Sequence, residues 1–323
     1  MNGFFVISLD FELLYGMEDK DYWESYKTNV LNGRSAIKKI LDLFDKHHIH
    51  ASWAIVGMMM NEAHSEFVNN LPLNKPIYNN TKAIYDYLNR IGKDEEDDPY
   101  HFGNKLIDMI TKIDGQEIAS HTYSHYYCND ANNNEVAFLE DTKLFNKLLL
   151  EKHNLKPKSI VFPKNETNDE CLKILKENGY IAYRGNSNDF LYKNSKENFF
   201  LKLFRFIDAY TGLFGKKCFK LEKDSFGLVN VKSSMFFRPF QKKLPFLERF
   251  KINTIKRQMT ISAKKGKVFH LWWHPHNFGL NTNENLKELE EILNHYDYLN
   301  NKYGYLSVSI NDVASKFNEG GNI

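Results

Sequence analysis

Short, almost wholly apolar runs alternate along the chain with longer stretches in which apolar residues return every three or four positions. The short runs are GFFVISLD (3–10), HASWAIVG (50–57), EIAS (117–120), SIVFP (159–163), YIAYRG (180–185), GLVNVKSS (227–234), KVFHLWWH (267–274) and GYLSVS (304–309). The periodic stretches are SAIKKILDLFDKHHI (35–49), NKLIDMITKIDG (104–115), the segment 135–154, DECLKILKENG (169–179) and a long one ending near Tyr303. The first kind predicts strands covered on both faces, the second amphipathic helices stopped by glycine. About eight strands separated by helices predict a parallel α/β sheet or barrel forming one domain over 1–323.

Two segments interrupt the rhythm. Residues 58–103 carry DEEDD and several asparagines and predict an insertion over one rim, with the acidic run solvated. Residues 186–226 are aromatic and basic and predict a covering helix, or a lid or membrane-surface helix.

The bulk figures narrow the classes. An apolar content of 42% with 15% aromatics allows a large core. A net charge of +2 argues against a general polyanion binder, and no nucleic-acid partner is expected. Three cysteines without a CxxC argue against a disulfide framework and fit reduced thiols in the cytoplasm. The opening MNGFFVISLDFELLYG, whose apolar run is broken by Asp10 and Glu12, reads as neither a signal peptide nor a membrane span. Residues 238–267 hold ten Lys/Arg, among them Arg238, against one acid, Glu248. They predict either a solvated basic face or a site for a nucleotide-sugar phosphate or anionic lipid, the latter placing the protein at the inner face of a membrane.

In parallel α/β folds ligands bind beyond the carboxyl ends of the strands. The polar residues expected there are Asp10 and Glu12, His121 and His125, Lys164 and Asn165, Arg184, and His274, His276 and Asn277. Asp10 and Glu12 are two apart and share a strand face. His121 and His125 are four apart and would share a face on a helical turn. Two imidazoles and a carboxylate suit a catalytic divalent metal, leaving the second carboxylate as a general base. His270 lies mid-strand and reads as a core residue, and His47, His48 and His50 as surface residues. Trp272 and Trp273 alternate in direction, so one faces the rim.

SLDFE, SHTYSH, VFPKN and LWWHPHN, in this order, resemble the motifs of the polysaccharide deacetylase family, the NodB-homology or carbohydrate esterase 4 group. The resemblance implies a distorted (β/α) barrel of seven or eight strands and metal-dependent removal of an acetyl group from an N-acetylated sugar. It also implies roles: Asp10 as general base; Glu12, His121 and His125 as ligands of a divalent metal, zinc first; His274 as general acid; and the backbone N–H of Lys164 at the oxyanion position. The chain departs from the family in having Glu12 for aspartate and no arginine before Pro163; Lys164 or Arg184 is expected to replace that arginine in orienting Asp10, Arg184 being favoured because its fork can clamp a carboxylate. Asn165, Trp273, His276, Asn277 and Arg238 are the expected substrate contacts. The substrate read from this is a glycan precursor of the capsule or O-antigen type. Two other functions fit the same residues: a metal-independent, allantoinase-like amide hydrolase, and a non-catalytic glycan- or anion-binding barrel.

Overall fold

The computed structural model describes residues 2–79, 82–130, 135–186, 204, 207, 208, 210–212 and 217–320. The strands β1 (Phe4–Phe11), β2 (Ala51–Ile55), β3 (Gln116–Ser120), β4 (Ser159–Val161), β5 (Ala182–Arg184), β6 (Glu222–Lys223), β7 (Val229–Asn230), β8 (Met235–Phe236), β9 (Val268–Trp273) and β10 (Leu306–Val308) form one sheet. Its order is β6-β7-β5-β4-β3-β2-β1-β9-β8, parallel throughout except for the β6–β7 pair. β10 pairs with the first half of β1, and β2 with the second half on the same side.

One segment closes the sheet into a distorted barrel. Val231 and Ser233 donate backbone hydrogen bonds to Tyr183 and Gly185 beyond β5, whereas Ser234 and Phe237 donate to His270 and Trp272 of β9. The predicted strand 227–234 is therefore a crossing strand that begins against one edge and ends, as β8, against the other.

Strand parity decides which residues face the lumen. On β1, Phe4 and Val6 join a small inner cluster with Ala54, Ala119, Val161 and Ala182. Phe5, Ile7, Leu9 and Phe11 belong to the outer core beneath the helices. The inner side chains are small, as a narrow lumen requires. The far end of the lumen is closed by α8 (Ile310–Asn318), which contributes Ile310, Val313 and Ala314.

The outer layer contains α1 (Trp23–Lys46), α2 (His64–Asn69), α3 (Asn104–Thr111), α4 (Glu135–His153), α5 (Asp169–Glu177), α6 (Pro245–Lys265) and α7 (Thr282–Tyr303). α1 begins well before the predicted Ser35. Its polar first half continues through Gly33, where a Cβ would lie 2.6 Å from the Cα of His276. Glycine at this position lets the helix press against the turn that follows β9. α6 occupies most of the basic segment, where no helix was predicted.

The acidic run in the insertion is not simply solvated. Asp94 and Asp97 accept backbone N–H bonds that shape their own turn, Glu95 pairs with Arg34, and Asp98 accepts from the ring of His101 at 2.7 Å. His101 also meets Glu18 at 2.9 Å. His47, expected at the surface, is buried against Asp297 of α7. Most of the segment 186–226, expected as a covering helix or else a lid or membrane-surface helix, lies outside the described residues.

Candidate metal and catalytic site

Parity carries Ser8 and Asp10 to the lumen face of β1, and Glu12, one residue past the strand, continues that face at the rim. Asp10 and Glu12 are both almost fully buried. The carboxylate of Glu12 fills the space in front of Gly16, where a Cβ would lie 2.1 Å from Oε1.

His121 and His125 are brought together, but not by a helical turn. Residues after β3 form a loop in which Thr122 and His125 have left-handed backbones, with φ of 63° and 55°. Such conformations cost of order 1–3 kcal/mol each and persist only where surrounding contacts over-determine them. Here they do. Asp141, buried on α4, accepts from the N–H groups of Tyr123 and Ser124 and from the Ser124 hydroxyl. Thr122 Oγ1 accepts from the Tyr126 N–H, and the carbonyls of Thr122 and Tyr123 accept from Gly57 and Met58. Burial pushes the Asp141 carboxyl up to about 6, against the three donors that favour its ionised form.

The result is a compact triad. Nε2 of His121 and of His125 lie 3.3 and 3.1 Å from the same oxygen of Glu12. These three are the one group of ligand-type side chains close enough to share a metal among the described residues. Nδ1–H of His121 donates to the Val161 carbonyl at 2.7 Å, so in the neutral ring Nε2 carries a lone pair and faces a carboxylate oxygen. Acceptor against acceptor is satisfied by a shared cation. Tetrahedral ligands about 2 Å from an ion stand roughly 3.3 Å apart, matching the observed spacings. Burial raises the Glu12 carboxyl, but the charge of His274 and the two imidazoles hold it well below the usual range. Burial lowers the pKa of His125. An ionised carboxylate beside an imidazole whose neutral, lone-pair-bearing form is favoured by burial fits a divalent ion.

Beside the triad, Arg184 is wholly buried and grips Asp10 with two parallel bonds of 2.6 and 2.7 Å. Its Nε donates to Asn165 Oδ1 and its Nη1 to Ser8 Oγ, and its plane lies 4.4 Å from the ring of Trp272. Ser8 in turn donates to Nε2 of His270, whose Nδ1–H donates to the Val231 carbonyl. Burial, with the charge of Arg184, lowers the His270 pKa to about 3, which keeps the ring neutral. Burial would raise the Asp10 carboxyl, but the charge and hydrogen bonds of Arg184 outweigh it and lower its pKa.

His274 approaches from β9, 3.5 Å from Glu12 Oε1 and 3.8 Å from Asp10 Oδ2. It is 23% exposed, more open than the residues it faces. His276 stacks on it at 4.9 Å but is buried, and burial lowers its pKa to about 3. It thus supports His274 from below and has little surface to offer a substrate.

The other expected contacts divide. Trp273 is fully buried, packed against Phe44, Phe237 and Phe278, because it shares the outer face with Leu9. Trp272, paired with Ser8, is the tryptophan beside the site. Asn165 gives its amide oxygen to Arg184. Lys164 has a left-handed backbone after Pro163, and its ammonium lies 3.6 Å from the ring of Tyr127. Asn277 is half-buried, and Oδ1 accepts from the Tyr26 hydroxyl. Arg238 follows β8, and its carbonyl accepts from Lys251 of α6.

The sequence reading missed Ser8, Gly16 and Asp141, and it gave His270 no part beside Arg184. Asp141 left a signal: it lies on the stripe of Ala137, Phe138 and Phe145, where a solvated acid would not be placed.

A family profile described as polysaccharide deacetylase matches residues 21–183. No curated protein matches the chain at a significant level. Among solved structures, one named for a polysaccharide deacetylase of Mycobacterium smegmatis aligns with TM-score 0.61 at 11% identity, covering 99% of this chain and 92% of the other. One so named from Pseudomonas aeruginosa PAO1 aligns with TM-score 0.57 at 11% identity, over 99% and 92%. Puue allantoinase aligns with TM-score 0.55 at 12% identity, over 98% and 89%. At these identities the alignments establish the fold.

Proposed function

Because the chain belongs to the polysaccharide deacetylase family, hydrolases of the carbon–nitrogen bond of acetylated sugars, we propose that it removes an N-acetyl group from an N-acetylated sugar by metal-dependent hydrolysis. The observation that carries the reading is the buried Glu12, His121 and His125 triad, set between an Arg184-held Asp10 and the more exposed His274. These residues, drawn from positions 10 to 274, support one catalytic unit spanning the chain.

Glu12, His121 and His125 hold the metal, zinc in our reading; when bound, the ion supplies positive charge for the amide oxygen and acidifies a water molecule. Asp10 accepts a proton from the attacking water. The Arg184 clamp keeps Asp10 ionised and aimed but makes it a weak base, so it suits a water that is already acidic. The backbone N–H of Lys164 donates to the oxyanion, a contribution of about 3 kcal/mol. His274 protonates the departing amine nitrogen as the carbon–nitrogen bond breaks, leaving acetate and the free amine. Trp272 offers an aromatic face to the sugar ring, with Asn277 and Arg238 toward its polar groups.

Three buried free thiols suit a reducing compartment, where an activated glycan precursor of the capsule or O-antigen type, such as a nucleotide-sugar, is met in place of finished polymer. The test is acetate release from N-acetylated nucleotide-sugars, lipid-linked precursors and extracellular polymers, with metal content measured in parallel for the wild type and His121→Ala. Activity and metal content should fall together in the variant and return with added zinc in the chelated wild type. Full activity after exhaustive chelation would instead assign the chain to metal-independent amide hydrolysis. Acetate released only from polymers would overturn the precursor reading.

A further inference from the structure

The inward and outward faces of α6 differ sharply in charge. Its one acid, Glu248, is buried and joined to Lys251, which also meets Glu288 of α7. Ile252, Ile255 and Met259 complete the packed face. The exposed residues of 241–265 include six cations, Lys242, Lys243, Arg249, Arg257, Lys264 and Lys265, and no acid. Lys256, half-buried, is paired with Glu291 of α7.

Two aromatics break this cationic stripe at one end. Phe246 and Phe250 are 63% and 60% exposed and, being four apart, stand on one side of the helix. Neither is needed by the core, which takes the opposite face. That end of the helix lies at the rim. β8 runs parallel to β9 and ends level with Trp272, and the link onward to α6 is tied to the turn after His274. There the Phe240 N–H donates to Asn285, and the Asn281 amide donates to the Phe240 carbonyl. Leu280 in that turn is 50% exposed.

We propose that this face of α6, led by Phe246 and Phe250, docks on an anionic membrane surface and so holds the mouth of the barrel against it. The stripe is convex and runs for roughly 30 Å at about 1.5 Å per residue. A small phosphate needs donors that converge, whereas a lipid surface meets a line of cations one by one. Exposed phenylalanines flanked by basic residues insert their rings at the headgroup boundary. With an overall charge of only +2, attraction to an anionic surface depends on local clustering of cations, which this face supplies. The inference stands apart from the catalytic reading and is tested without a substrate.

The test is co-sedimentation of the full chain with phosphatidylcholine vesicles, with and without phosphatidylglycerol, at low and high salt. The comparison variant is Phe246→Ser/Phe250→Ser, with melting curves to verify its fold. Binding should require phosphatidylglycerol, weaken about tenfold or more as salt is raised, and fall at least tenfold in the folded variant. Equal binding to both vesicle types, or undiminished binding by the variant, would overturn the proposal. So would salt-sensitive retention on single-stranded nucleic acid without vesicle binding, which would assign the stripe to another polyanion. Self-association abolished by the double substitution, without vesicle binding, would assign the face to a second copy of the chain.

Discussion

Replacing Arg184 by methionine removes the guanidinium while keeping much of its length. Four hydrogen bonds go with it: two to Asp10, one to Ser8 and one to Asn165. The larger loss is electrostatic, since Asp10 stays buried without its cation. Breaking a buried pair in this way costs about 3–5 kcal/mol. If the cost is chiefly the orphaned charge, Asp10→Asn in the same chain should relieve it, giving a coupling of at least about 2 kcal/mol in the double-mutant cycle. The pH dependence adds a second constraint. In the wild type the folded pKa of Asp10 is lowered, so its contribution is present above the unfolded value and is lost as pH falls through the folded one. Without Arg184, burial, the largest influence, is opposed only by the weaker pull of His274 and His121, so the folded pKa rises and Asp10 destabilises increasingly as pH rises above the unfolded value. The deficit of Arg184→Met should therefore be greatest near neutrality and shrink toward pH ~4. Urea melts followed by tryptophan fluorescence, with chelator present so that metal binding does not add to stability, measure all of this. Single-mutant costs that add to within about 0.5 kcal/mol, or a deficit that does not change with pH, would refute the reasoning.

Gly16→Ala should weaken metal binding at least tenfold in a calorimetric titration while leaving the circular dichroism spectrum intact, because its Cβ would lie 2.1 Å from Glu12 Oε1; unchanged affinity would mean that Glu12 has another resting place. His270 and His276 are held neutral with pKa values near about 3, so stability should fall as pH drops from the unfolded value of about 6.5 toward 3, by roughly 1.4 kcal/mol per pH unit for each. His270→Gln should remove one proton's worth of that slope in melts taken across the range, and a slope left unchanged would contradict a buried neutral ring.

The barrel and the rim were legible in the chain because strand periodicity is short and strict. A short, mostly apolar run fixes both the strand and the face of Asp10, and the same alternation places Arg184 and His274. Local pattern could not decide between Trp272 and Trp273, since that choice depends on which face of β9 meets Ser8 across the sheet. Likewise the spacing of His121 and His125 was read as helical, whereas the loop is set by Asp141, a contact from a different element. α6 was hidden because its charges were counted without partners: Glu288 and Glu291 lie on α7, far along the chain. The DEEDD run misled in part for the same reason: Asp94 and Asp97 cap backbone N–H groups, and Glu95 and Asp98 are taken by Arg34 and His101.

The position of β1 has a consequence for the growing chain. This central strand takes its neighbours β9 and β10 from Val268–Trp273 and Leu306–Val308, much further along the chain. Pairings across so many residues are slow to form, because the entropy of closing the intervening loop must be overcome before any contact is gained. Until residues 268–308 have been synthesised, Asp10 and Glu12 have no β9 beside them and His274 does not yet exist. Catalytic competence therefore waits for β9 to be in place, and until then the half-made barrel exposes an apolar strand edge that a chaperone or an early-docking helix must cover.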